Sequence, residues 1–312
     1  MDIYIQIAYL VASILFIIGI KKMGKTREAR KGNQLSSLGM LIAVLATIIQ
    51  VTNVSLVEIL ICIVIGSAIG LFIAFKVEMT QMPEMVALFN GFGGLGSLAV
   101  ALSYYWLNSQ ELGNSVDTIT GTSTALSIFI GGLTFTGSII AFLKLNGRIS
   151  GNAITFKGQH FLNLVLLGLA ILASVFAIMY QLDAKYILAL VGLALILGIL
   201  VVLPIGGADM PVVISLLNSY SGMAACATGF VLNNNVLIVS GALVGASGII
   251  LTQIMCKAMN RSLINVLLGG FGQAASTVGE DTDEIQVKEV GVEEAAMLFD
   301  SASSVIVVPG YG

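Results

Sequence analysis

YILALVGLALILGILVVLPI, residues 186–205, runs for twenty residues without a charge or a carboxamide. As a helix rising about 1.5 Å per residue it would measure roughly 30 Å, the thickness of bilayer hydrocarbon. The run does not alternate apolar with polar residues, so it does not read as a barrel strand. In lipid only a helix then satisfies every backbone N–H and C=O. Eight more stretches have the same character: residues 3–20, 35–51, 54–75, 83–107, 122–143, 161–180, 210–231 and 236–256. The fold class expected is an all-α membrane protein, a bundle of about nine transmembrane helices.

Composition agrees. The 312 residues are 57% hydrophobic and only 10% charged, where a soluble domain carries about 25% charge. Mean hydropathy is +1.00, which excludes a surface wetted on every side. The first run has no basic segment before it and no small-residue cleavage site after it, so it reads as a retained helix.

Basic residues set the expected orientation. The loop after the first run holds Lys21, Lys22, Lys25, Arg27, Arg30 and Lys31. Crossing nine times puts Lys76, Lys144, Arg148, Lys157, Lys257, Arg261 and Lys288 on the same side. Of the 14 basic residues only Lys185 falls opposite. Eight or ten spans would scatter these charges. The N-terminus is therefore expected outside and the C-terminus in the cytoplasm.

Beyond Arg261 the pattern changes. Residues 1–262 form the expected membrane domain and 263–290 a linker; Ser262–Gln273, across that boundary, is still apolar and Gly-rich and reads as a re-entrant or surface segment. Residues 291–312 read as the truncated start of an α/β dinucleotide-binding domain. There Glu293–Asp300 has amphipathic helical spacing, and Ser304–Val308 reads as a buried strand running into Pro309-Gly310-Tyr311-Gly312. A strand entering GxG opens a nucleotide-binding βαβ unit. No helix follows to hold a pyrophosphate, so no nucleotide is expected on this chain alone.

A second glycine motif is misleading. Gly91, Gly93 and Gly96 spell GxGxxG, but they lie inside an apolar run and follow no strand. Glycines there serve close helix approach, as do Gly66/Gly70 and Gly241/Gly245. Cys62, Cys226 and Cys256 sit in apolar runs without a CxxC pair and read as packing residues. His160 is the single histidine and forms no metal set.

Polar side chains at membrane depth are costly, so their positions are informative. Four fall in one layer when depth is counted along each helix. Asn90 lies roughly 10 Å from the cytoplasmic edge, Ser138 roughly 9 Å, Asn218 roughly 14 Å and Ser247 roughly 15 Å. Thr134, Thr136, Ser215, Ser221 and Thr252 accompany them; Ser215, Asn218 and Ser221, three apart, are expected on one face. Such a layer is either glue between helices or the lining of a water file that carries protons. Asn and Ser orient water without storing a proton, so conduction would need a partner to gate it.

Five segments carry a family resemblance: MTQMPEMVALFNGFGG (79–94), GGLTFTGSIIAFLKL (131–145), GGADMPVVISLLNSYSGMAACATGF (206–230), GALVGASGIILTQIMCKAMNRSLINVLLGGFG (241–272) and SSVIVVPGYG (303–312). The chain resembles the beta subunits of the proton-translocating nicotinamide nucleotide transhydrogenases over essentially its whole length.

The resemblance implies a multi-pass protein of the bacterial inner membrane, in a homodimer of protomers with alpha subunits that carry the NAD(H)-binding domain. Its partners are those subunits and membrane lipid, not nucleic acid. NAD(H) and NADP(H) are cofactors of the complete enzyme. Hydride passes from NADH to NADP+ on soluble domains as protons move inward, so no catalytic residue is expected among these 312. The resemblance assigns Asn90, Ser138, Asn218 and Ser247 to the proton path. Asp209, Lys257 and Arg261 would face the NADP(H) domain, and Gly248 would mark packing that affects coupling. Gly310 and Gly312 match the first glycines of the NADP(H) fingerprint. Asn90 departs from the many relatives with His there, which leaves no titratable group in that helix core.

Two rivals follow from hydropathy alone. A secondary transporter of a small solute or ion would explain midplane polar groups, but no internal repeat is visible. A structural anchor for a redox partner predicts that Asn90→Leu leaves proton flux intact.

Overall fold

The computed structural model describes residues 3–50, 55–110, 116–267 and 291–306. Among them nine helices are long and apolar enough to cross a membrane. They are α1 (Ile3–Met23), α2 (Ala29–Gln50), α3 (Leu56–Lys76), α4 (Met82–Gln110), α5 (Thr118–Leu145), α6 (Gln159–Met179), α7 (Ala184–Val202), α8 (Met210–Val231) and α9 (Asn235–Ala258). A short α10 (Leu263–Leu267) and an α11 (Val292–Ser301) follow. No strand occurs among the described residues.

Helix ends follow local chemistry. The side chains of Asp117, Asp183 and Asn234 accept the backbone N–H of Ile119, Lys185 and Leu237, capping α5, α7 and α9. Pro211 in the first turn of α8 costs no hydrogen bond, because that N–H has no helical acceptor.

α5 is the hub. It packs against α4, α6, α7 and α8, and α9 closes on α8. Side chains of Leu, Ile, Phe and Val stay exposed along most helices. An apolar surface so extensive is tenable only in lipid.

Glycines set the closest approaches. A Cβ on Gly222 would lie 2.4 Å from the Gly245 nitrogen, and one on Gly241 2.4 Å from the Cys226 nitrogen. The α8–α9 seam is therefore backbone against backbone, the role expected for Gly241/Gly245. Gly66 and Gly70 differ: no described atom lies within 4 Å of a Cβ built at either, and no α3 residue is buried. Among the described residues nothing makes a close approach to them.

The segment after α9 begins as structure rather than free linker. Val266 is 2% exposed and packs in one cluster with Ile140, Ala141, Met210 and Val213. Residues 272–312 form a separate compact unit. Within it the amphipathic stretch Glu293–Asp300 lies in α11. Ser304–Ile306 have no regular structure, since a strand exists only where a neighbour pairs with it. Val307, Val308, Gly310, Gly312 and most of 263–290 lie outside the described residues.

Candidate functional site

α5 presents one buried face of small and hydroxyl side chains: Thr124, Ser127, Gly131, Thr134, Ser138 and Ala141. Their spacing alternates three and four, which keeps them on one side of a helix. α4 answers with the buried residues Ala87, Asn90, Gly91, Gly94, Ser97 and Ala101, which return every three or four residues apart from the adjacent pair Asn90 and Gly91. The two helices run antiparallel. A Cβ on Gly91 would lie 3.2 Å from that of Ser138, and one on Gly94 2.8 Å from the Gly131 carbonyl oxygen. α8 is the third wall.

Two hydrogen-bonded clusters lie on this face. In the first, Asn90 Nδ2 donates to Ser138 Oγ at 3.0 Å, and Ser221 Oγ donates to the Asn90 carbonyl at 3.2 Å. One side chain thereby ties α4 to α5, and its own carbonyl ties α4 to α8. In the second, Ser127 Oγ reaches the Ser97 carbonyl at 3.1 Å and Thr228 Oγ1 at 2.7 Å, and Thr228 also reaches the Ala224 carbonyl at 2.9 Å. Two hydroxyl hydrogens serve three contacts there, so the donors can reorient. The clusters are eleven residues apart on α5, roughly 16 Å.

Thr134 lies between them. It is 0% exposed and its Oγ1 has no hydrogen-bond partner among the described residues. A buried orphan hydroxyl costs on the order of 1–3 kcal/mol.

The four layer residues expected from sequence are thus only half assembled. Asn90 and Ser138 meet. Asn218 and Ser247 are exposed on the surface of this chain, and Ser247 Oγ donates to Val244 of its own helix at 3.0 Å. The reason is rotational. Residues three apart on a helix turn by roughly 60° per step, so Ser215, Asn218 and Ser221 fan out rather than share a face. Ser215 turns to α9, where its Oγ lies 3.4 Å from the Gly248 carbonyl and 3.1 Å from Thr252 Oγ1. Ser221 turns to α4, and Asn218 falls between. Ser247 stands about 100° around α9 from Gly248, and Gly248 holds the seam, a Cβ there falling 2.8 Å from Ser219 Cα. Thr136 faces α7 and donates to the Leu195 carbonyl at 2.8 Å. Ser97, Ser127 and Thr228 complete the site beyond the residues expected from sequence; the signal for Ser127 is the three–four spacing of small residues along α5, and Ser97 and Thr228 lie on α4 and α8.

At the Lys144 end of the bundle the Asn146 amide donates to Glu84, joining α4 to α5. Asp209 Oδ1 lies 3.8 Å from Arg261 Nε, beyond hydrogen-bond reach but close enough to attract. Lys257 is exposed. Lys144 is 4% exposed and its Nζ donates to the carbonyls of Asn152 at 3.1 Å, Leu203 at 2.5 Å and Ile205 at 2.8 Å. That ammonium fastens the exit of α7, just before α8, to α5.

Comparison with known proteins places the chain in a family. The family model described as NAD(P) transhydrogenase beta subunit matches residues 5–312. NAD(P) transhydrogenase subunit beta of Rhodospirillum rubrum is 46% identical over 311 residues, which cover 98% of this chain and 67% of that protein. The same subunit from a named strain of that species gives the same figures.

Proposed function

Because the chain belongs to the NAD(P) transhydrogenase beta subunit family, we propose that its helices are the proton-conducting part of such an enzyme, coupling inward proton movement to hydride transfer from NADH to NADP+. The path runs through the face shared by α4, α5 and α8. The observation that carries this is the Asn90–Ser138 hydrogen bond with Ser221 on the Asn90 carbonyl. It is a buried, interhelical amide–hydroxyl knot inside a bundle whose outer surface is apolar. Asn218, on the adjoining surface of α8, and Ser247 extend the path where partner helices or water cover them.

The coupling end is the Asp209–Arg261 pair, with exposed Lys257 close by in sequence. There the NADP(H) domain docks, and its nucleotide state biases the α8–α9 seam at Gly248. Charge placement supports an N-terminus outside and a C-terminus in the cytoplasm of the bacterial inner membrane. Alpha subunits supply the NAD(H) site, the hydride-transfer site lies on the soluble domains, and protomers pair as a dimer.

The drive is sufficient. One proton crossing 100 mV releases about 2.3 kcal/mol, which shifts an equilibrium by roughly fifty-fold. The test is reconstitution of the complete alpha–beta enzyme in sealed vesicles, following NADP+ reduction by NADH with and without an imposed proton gradient. Acceleration by an inward-directed gradient is expected, and loss of that acceleration in Arg261→Ala. A rate indifferent to the gradient rules the proposal out.

A further inference from the structure

We propose that Thr134, buried beside the Gly94–Gly131 contact, is the gate of the membrane path: dry and closed in this conformation, and opened when α4 and α5 part enough to admit water to its hydroxyl. This rests on the proton-conducting role proposed above and names the point at which conduction is interrupted.

Three observations carry it. The first is the hydroxyl itself. The other buried threonines, Thr124, Thr228 and Thr252, each donate to the carbonyl four residues earlier, at 2.8, 2.9 and 2.8 Å. That back-bond is the usual way a helix absorbs a threonine. Among the described residues Thr134 is the one buried threonine that does without it, and its Oγ1 is closed to solvent. An unpartnered hydroxyl favours whatever brings it a donor or acceptor, and in an apolar bundle that is water.

The second is the lock around it. A Cβ on Gly94 would sit 2.8 Å from the Gly131 oxygen and 3.0 Å from Thr134 Cβ, and one on Gly131 2.8 Å from the Gly94 oxygen. The two backbones touch with no side chain interleaved. A small separation then needs no rotamer change, and closure leaves no room for water.

The third is position. Thr134 is four residues from Ser138 and seven from Ser127 on the α5 face, so about one and two turns away. Both flanking clusters are hydrogen-bonded in the closed state. Water at Thr134 would join them into one file. The dry state keeps a coupled enzyme from leaking protons between turnovers.

The test uses the complete alpha–beta enzyme in sealed vesicles, with nucleotide-driven proton uptake and thermal midpoint measured together. Thr134→Val keeps the volume and removes the hydroxyl. Proton uptake should fall about tenfold or more while the midpoint holds or rises, because no orphan group remains. Thr134→Ser should restore uptake. A hydroxyl that is merely structural gives the reverse pattern, a lower midpoint with uptake unchanged, and that result overturns the gate. If Thr134→Val does not assemble, Gly94→Ala decides. Its Cβ wedges the seam, so a passive proton leak without nucleotides is expected, and vesicles as tight as wild type overturn the proposal. Asn90→Leu is measured alongside. If it too leaves uptake intact, the conduction role fails and the gate falls with it. If it blocks uptake while Thr134→Val does not, only the gate is wrong.

Discussion

Amides and hydroxyls that find each other across helices hold the buried face of α4, α5 and α8 together. Asn90 and Ser138 were recognisable in the sequence, because a carboxamide in an apolar run has few uses besides a partner. Removing one partner leaves the other buried. Ser138→Ala should therefore lower the thermal midpoint of the purified complex, at a cost of about 1–3 kcal/mol. Asn218 and Ser247 carried the same signal and lie elsewhere, because counting residues gives depth along a helix but not azimuth. Azimuth comes from the neighbours, and the sequence did not say that α9 takes Ser215 while α4 takes Ser221. Gly248 makes the same point through space rather than polarity. With its virtual Cβ 2.8 Å from Ser219 Cα, Gly248→Ala must push α8 from α9. A midpoint drop corresponding to about 1–3 kcal/mol is expected, and an unshifted midpoint would show that the seam accommodates a methyl group.

Elements were the most legible level. All nine apolar runs correspond to membrane-length helices, because uncharged stretches of that length have no other backbone solution in lipid. Their ends were less legible. The second run was expected from residue 35, whereas α2 begins at Ala29 and carries Arg30, Lys31, Asn33 and Gln34 in its first turns. A helix continues into water where hydrogen bonding and propensity favour it, and hydropathy does not see that extension. Pairing of elements was hidden as well. The α4–α5 seam emerges only when two three–four patterns are laid antiparallel. Lys144 shows a further element-level device, since its ammonium holds carbonyls beyond two different helices. Lys144→Met should leave those carbonyls short of donors. Faster amide exchange between α7 and α8 is expected, with a loss of about 2 kcal/mol. Unchanged exchange in residues 203–207 would deny the fastening role.

For the whole molecule, the proposal joins two regions of different kinds. Residues up to Phe271 form one compact unit and those from Gly272 another, and the family relationship spans both. The membrane unit supplies the buried α4–α5–α8 face, while the Asp209–Arg261 pair supplies a charged edge. Coupling requires that nucleotide state and channel access bias one shared two-state element, and the α8–α9 seam is the element proposed for that role. The nucleotide-binding start expected at Gly310 and Gly312 lies beyond the described residues, so sequence pattern alone speaks for it. The pH inside vesicles holding the complete enzyme, recorded as NADPH reduces NAD+ in wild type and Asn90→Leu, tests proton conduction through the α4–α5–α8 face. The account predicts a pH change in wild type that the leucine variant reduces by about tenfold or more. A full-sized pH change in Asn90→Leu would contradict it.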